Sequence, residues 1–139
     1  MKPLLAGLMT ALILTSAALA GGPDKITDLQ SALDTAKKDG KMLFVLYGRE
    51  ACSNCQALRT YIDKKDLRLS STKFVIAEVN CDDPATSALF RSTFHVEGST
   101  LPFVAVASAE GKQLAARSGY GTVKDYESLL KDAAKAARN

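Results

Sequence analysis

Two spacings of apolar residues alternate along this chain. Leu29, Ala32, Leu33 and Ala36 recur at intervals of three and four, the stripe of an amphipathic helix. Thr27 and Gln30 form a capping box at its start, and Gly40 stands where a glycine closes a helix. Residues 42–47 are then apolar without a break, which suits a strand covered on both faces of a sheet. Residues 48–51 turn the chain. A second helical stripe begins at or beside Cys52, with Leu58, Tyr61 and Ile62 facing inward. Residues 74–79 repeat the apolar strand pattern. Asp83-Pro84 opens a third helix, Asp as the cap and Pro in the first turn, with Leu89, Phe90 and Phe94 as its buried side. Residues 103–107 predict a third strand, 109–112 a turn, and 113–117 a strand that pairs back as a hairpin. Gly119-Tyr120-Gly121 leads into a last helix. Thr122 caps it, Asp125 is at the third position, and Tyr126, Leu129, Leu130 and Ala133 face inward.

The order is therefore α, β, α, β, α, β, β, α. Strands alternating with helices imply parallel pairing through right-handed crossovers, and the late hairpin adds an antiparallel edge. Helices should cover both faces of one central sheet, giving a three-layer α/β/α sandwich with a mixed sheet.

The N-terminus follows a different pattern. Lys2 is the one charge in the first twenty residues, an apolar run rich in Leu and Ala fills residues 4–19, and Ala18-Leu19-Ala20 ends it with small residues. A positive tip, a short apolar stretch and an A-x-A end make a secretory signal peptide. A retained transmembrane anchor is the alternative. The stretch is short for a span of about 20 residues, and Gly21, Gly22 and Pro23 follow it in place of a charged stop. No Cys follows the run, which argues against a lipid anchor. The organisation expected is a signal peptide at 1–20, a linker at 21–26 and one domain at 27–139. The mature protein would work in the periplasm or be secreted.

Cleavage of 20 residues from 139 leaves 119, enough for one real core. Lys and Arg are spread along the chain and the formal charge is only +3, so no nucleic-acid surface is indicated. The chain holds 3 cysteines, Cys52, Cys55 and Cys81. An exported domain stapled by disulfides would show more, in an even number. With 47% apolar residues this one can fold without staples, so the cysteines point to chemistry.

Several marks then coincide. Cys52-Ser53-Asn54-Cys55 sits at a strand-to-helix turn, Val79-Asn80-Cys81-Asp82 ends the next strand, and Thr100-Leu101-Pro102-Phe103 stands directly before the hairpin. With Gly119-Tyr120-Gly121 before the last helix, this arrangement resembles the thioredoxin superfamily over nearly the whole mature chain. The resemblance implies a thioredoxin-like fold, a redox-active Cys52–Cys55 disulfide, a cis peptide at Pro102, and no cofactor. It implies protein thiols and disulfides as substrates, met by Thr100, Leu101 and Pro102, and an electron donor in the membrane or in solution. A monomer is expected. The chain departs from the family at Ala51, where a Trp is usual, at Leu46, where thioredoxin buries an acid, and at Ser53-Asn54, which replace Gly-Pro.

The residues support the same chemistry. A thiolate is the nucleophile in disulfide exchange, and a helix N-terminus favours the anion. Cys52 is at that end and is expected to attack. Cys55, one turn deeper on the same helical face, is expected to resolve. Ser53-Asn54 carries no cation to make a strong oxidant, which favours a reductase or isomerase direction. Three other readings stay open. The pair could be a permanent disulfide, although so short a loop stabilises little by chain entropy. It could hold a metal, with Cys81 and His95 as added ligands, although no second C-x-x-C or spaced His pair supports this. The domain could also dock a partner without redox turnover. Cys81 reads first as a small buried apolar side chain and second as a third thiol near the site. Tyr47 and Phe44 read as core, His95 as a loop residue.

Overall fold

The computed structural model describes residues 24–139; the expected signal peptide and its cleavage site lie outside the described residues. Nine elements follow in order: β1 (Lys25–Ile26), α1 (Leu29–Asp39), β2 (Met42–Gly48), α2 (Ser53–Asp63), β3 (Phe74–Asn80), α3 (Pro84–Thr93), β4 (Phe103–Ala107), β5 (Gln113–Ser118) and α4 (Val123–Ala136). The five strands make one sheet in the order β1-β3-β2-β4-β5. The chain is an α/β three-layer sandwich with a mixed sheet, as its pattern predicted.

β2 is the central strand. It pairs in parallel with β3, Met42 against Phe74 through Gly48 against Asn80, and antiparallel with β4, Leu43 against Ala107 through Tyr47 against Phe103. β5 closes the hairpin, with an irregularity at Val106/Ala107. Leu43, Phe44, Val45, Leu46 and Tyr47 are all buried, which is why the sequence shows no alternation there. At roughly 1.5–3 kcal/mol for each such side chain, this one strand outweighs any single helix cap, worth typically about 1 kcal/mol.

The two faces of the sheet hold separate cores. One gathers Phe44, Leu46, Ile76, Val104 and Val106 under α2 and α4, with Cys55, Leu58, Ile62, Tyr126 and Leu130. The other gathers Leu43, Val45, Tyr47, Ala77 and Val79 under α1 and α3, with Leu29, Ala36, Phe90 and Phe94. Tyr47 stacks on Phe90 at 4.1 Å between ring centroids and bonds its hydroxyl to Ser87. Phe44 and Tyr47 are core residues. On the first face, Tyr126 is wholly buried; its hydroxyl has no hydrogen-bond partner among the described residues, and burial pushes its pKa up to about 12.

Two local expectations change. β1 lies in the segment expected to be linker: Lys25 and Ile26 pair in parallel with Ile76 and Ala77 of β3. Two residues are too few to show a period. An ion-pair cluster fixes them, with Lys25 Nζ 2.8 Å from Asp63 and 3.1 Å from Glu78, and Glu78 also bonded to Arg59. Burial pulls the Lys25 ammonium down, but the bonds to Asp63 and Glu78 outweigh it and its pKa is raised. Because β1 holds the chain as far as Ile26, α1 starts one residue later than the capping box implied. Asp28 is the cap, its carboxylate accepting from the Ser31 N–H at 2.8 Å, while Gln30 turns to Asp34. A carboxylate is the stronger acceptor for a helix start. Gly40 closes α1 at φ 64°, Asp83 caps α3 with Pro84 in its first turn, and Thr122 with Asp125 forms the full capping box of α4.

These caps carry a pH dependence. Hydrogen bonds from Ser31 to Asp28, from Thr86 to Asp83 and from Thr122 to Asp125 hold each carboxyl below its ordinary value of 3.8. With the lower pKa in the folded state, the unfolded chain takes up protons first. The stabilisation is complete above that ordinary value and is lost as pH falls through the folded-state values. Acid titration of stability should therefore show a shallower limb below about pH 4 for Asp83→Asn than for the parent; parallel limbs would remove the cap as a source.

A second prediction concerns Gly48. A Cβ built there would lie 2.6 Å from Cys55 Sγ and 3.3 Å from Leu46 Cδ2. The sulfur is held in a disulfide and cannot swing aside. Gly48→Ala should cost about 1–3 kcal/mol in urea unfolding of the oxidised protein, as overpacked cores do. A loss below about 0.5 kcal/mol would show that α2 yields.

Candidate active site

β2 delivers the chain to Gly48, and residues 49–51 turn it into α2. Cys52 is the N-cap of that helix, in extended conformation at φ −125° and ψ 112°, and its sulfur accepts the Cys55 N–H at 3.2 Å. Cys52 and Cys55 are joined as a disulfide with Cα atoms 5.2 Å apart. The two are unequal. Cys55 is fully buried in the first core, whereas Cys52 is half-buried at its edge. Cys52 Sγ thus stands where the unpaired N–H groups of α2 point, and Cys55 lies one turn behind it.

The loop before β4 faces this pair. The Leu101–Pro102 peptide bond is cis, Pro102 is buried, Leu101 is half-buried and Thr100 is exposed. Pro102 accepts the Gly119 N–H at 3.0 Å, and Thr100 lies 3.7 Å from the position a Cβ of Gly119 would take. Asn54 donates its side-chain amide to the Leu101 carbonyl at 3.2 Å, across from α2. Thr100, Leu101 and Pro102 are therefore brought together with the cysteines. The two Leu101 backbone groups differ: the carbonyl is engaged by Asn54, and the N–H has no acceptor among the described residues. Asn54 was visible in the sequence only as a neutral donor between two cysteines. Its partner, 47 residues away, has no local signature. Tyr120, on the neighbouring loop, is 55% exposed, and its hydroxyl is 3.5 Å from that of Tyr61 on α2.

The arginines nearby are paired. Arg49 reaches Asp82 at 3.0 Å and Cys81 Sγ at 3.5 Å, at the end of β3. Arg59 bonds to Glu78 and to the Arg49 carbonyl. Arg49, Arg59 and Glu78, with Gly48, Glu50 and Gln56, line an open cavity of about 560 Å³ beside α2. Leu46 is core and Glu78 stands opposite it in register, on the same face of the sheet.

Cys81 is a free thiol, half-buried, and packs with the second core. It is not fully buried as first expected, because β3 ends at Asn80 and Cys81 stands on the exposed turn beyond. Cys55 packs with the first core instead. His95 bonds through its backbone to the Gln113 side chain, at the end of the hairpin remote from Pro102. Neither residue approaches the C-x-x-C as a metal ligand, and among the described residues no three of His, Cys, Asp and Glu gather to hold an ion.

The fold has well-defined relatives. A mutant thioredoxin from Halobacterium salinarum NRC-1 superposes with a TM-score of 0.60 at 16% identity, covering 82% of this chain and 94% of its own. The short form of thioredoxin f from spinach chloroplast gives 0.59 at 14% identity, over 86% and 97%. Oxidised thioredoxin O2 from Arabidopsis thaliana gives 0.57 at 15%, over 77% and 90%. At such identities the likeness is one of fold. No curated protein matches the chain. The family model for the thioredoxin-like domain matches residues 29–134, from the first residue of α1 into α4 and across the whole C-x-x-C site. This chain belongs to the thioredoxin-like domain family.

Proposed function

We propose that this protein is a thiol–disulfide oxidoreductase acting on protein substrates, with Cys52 attacking and Cys55 resolving. The observation that carries the reading is the unequal placement of the two sulfurs at one helix start, Cys52 at the edge and Cys55 buried behind it. In the reduced form the Cys52 thiolate attacks one sulfur of a substrate disulfide. The substrate S–S bond breaks, a Cys52–substrate bond forms, and the departing thiolate takes a proton. Cys55, having lost its proton, then attacks Cys52 Sγ. The second substrate thiol leaves and the Cys52–Cys55 disulfide remains. A dithiol donor, soluble or membrane-held, restores the reduced pair by the same exchange in reverse.

Substrate would lie along Thr100, Leu101 and Pro102, adding as an extended strand against the Leu101 backbone. Tyr120 offers an apolar surface beside that line. The neighbourhood supports a direction: Arg49 and Arg59 are paired with Asp82 and Glu78, and Ser53 and Asn54 are neutral, so among the described residues no free cation is placed to stabilise the reduced pair as in a strong oxidant. A reductase or isomerase, monomeric and working in the periplasm or outside the cell after cleavage near Ala20, is the reading that fits.

Cys52→Ser should abolish exchange with a disulfide-bonded protein, while Cys55→Ser should accumulate mixed disulfides resolved by non-reducing electrophoresis. Trapping by Cys52→Ser alone would reverse the assignment. For export, N-terminal sequencing of the protein from its native cell should begin at Gly21, and acid-quenched thiol trapping should find Cys52 and Cys55 mostly reduced. An intact Met1 on a cytosolic protein would overturn the localisation. A fully oxidised pair that rapidly oxidises reduced proteins would overturn the direction.

A further inference from the structure

We propose that the Asn54 side chain is a latch on the substrate strand of this site, holding the Leu101 carbonyl in the unoccupied protein and giving it up when an extended polypeptide pairs there. The inference rests on the reading that substrate adds along Leu101, and assigns a positioning role to a residue of the C-x-x-C itself.

Three observations carry it. Asn54 is the second residue of α2, next to Cys55, yet its amide reaches away from both sulfurs to the Leu101 oxygen at 3.2 Å, in a partly buried bond. Its orientation is fixed by chemistry, since a carbonyl accepts only from the NH₂ end of an amide. The Leu101 N–H, by contrast, has no acceptor among the described residues. The strand-pairing edge is thus half open: it can donate to an incoming backbone carbonyl at once, but its acceptor is shared with Asn54. Finally, the bond links α2 to the loop before β4, which Gly119 holds from its other side through Pro102. The loop therefore stays in place when the amide leaves, and only the carbonyl is released.

A neutral hydrogen bond of this kind exchanges against a substrate N–H at modest cost. A carbonyl has two lone pairs, so the substrate can begin to bond before Asn54 lets go. Removing the amide should tighten polypeptide binding more than that of a small disulfide. The selectivity then concerns backbone: a substrate able to lay an extended segment beside its cysteine displaces the latch, and a small disulfide never meets it.

The test compares the parent with Asn54→Ala and Asn54→Ser, dithiothreitol serving as donor. The substrates are an extended synthetic peptide bearing its cysteine as a mixed disulfide with a chromogenic thiol, the same peptide N-methylated in turn at each position within two residues of that cysteine, and bis(2-hydroxyethyl) disulfide. Both variants should lower the KM for the peptide, relative to that for the small disulfide, by about two- to tenfold. One N-methylated peptide should lose affinity for every form, and with it the advantage of the variants. A KM that stays or rises in both variants, while N-methylation still weakens the parent, overturns the latch and leaves strand pairing standing. Equal changes for peptide and small disulfide overturn it in favour of a role at the sulfurs. N-methylation without effect at every position overturns pairing at Leu101, and the latch with it.

Discussion

The site depends on β2 having neighbours that run in opposite directions. β3 lies parallel to it and β4 antiparallel, so the residue that follows β2 and the residue that precedes β4 meet at one edge of the sheet. The turn at 49–51 and the loop at 100–102 come from chain positions half a domain apart, yet both open on that edge. Had β4 run parallel, Pro102 would sit at the far end of a five-residue strand, about 16 Å away at roughly 3.3 Å per residue. The burial of β2 on both faces is what fixes this geometry. A strand whose side chains all face core has no register in which it can slip without exposing apolar surface or burying charge.

Around the sulfurs the cations are paired before any substrate arrives. Lys25 bridges Asp63 and Glu78, Arg59 also bonds to Glu78, and Arg49 meets Asp82. These contacts are partly exposed, and pairs of this kind add little stability singly. Their effect is on the local field: what remains near Cys52 is the open start of α2, the neutral side chains of Ser53 and Asn54, and the exposed carboxylate of Glu50. The chemistry is left to backbone dipoles and hydrogen bonds, which the fold positions rigidly. Three helices start on an oxygen, from Asp28, Asp83 and Thr122, and α2 alone starts on a sulfur.

Much of this was legible beforehand. Helices α1, α3 and α4 carry period and caps in their own residues, and the strands of the middle of the sheet are long apolar runs. The spacing of Cys52 and Cys55 within one turn permits their pairing, and the family resemblance implies it. What escaped was either too short or too distant. β1 has two residues, and its place is set by the Lys25 contacts with Asp63 and Glu78. The one-residue shift of the α1 cap follows from that strand, not from the propensities of Thr27 and Asp28. The Asn54–Leu101 bond joins two loops that only the antiparallel β4 brings together. Cys81 was placed correctly on β3's outgoing end, but the face on which it stands depends on where the strand stops.

That face has a consequence for counting electrons. Cys81 is unpaired and packs with the second core, so the oxidised protein keeps a single thiol and the reduced protein three. A chain caught in a covalent complex through Cys52 keeps two. The number of alkyl groups that a thiol reagent adds after unfolding therefore names the state of each molecule: one for resting, two for engaged, three for charged. The odd cysteine, which the proposed exchange does not use, would make its intermediate distinguishable from both ends of the cycle by mass alone.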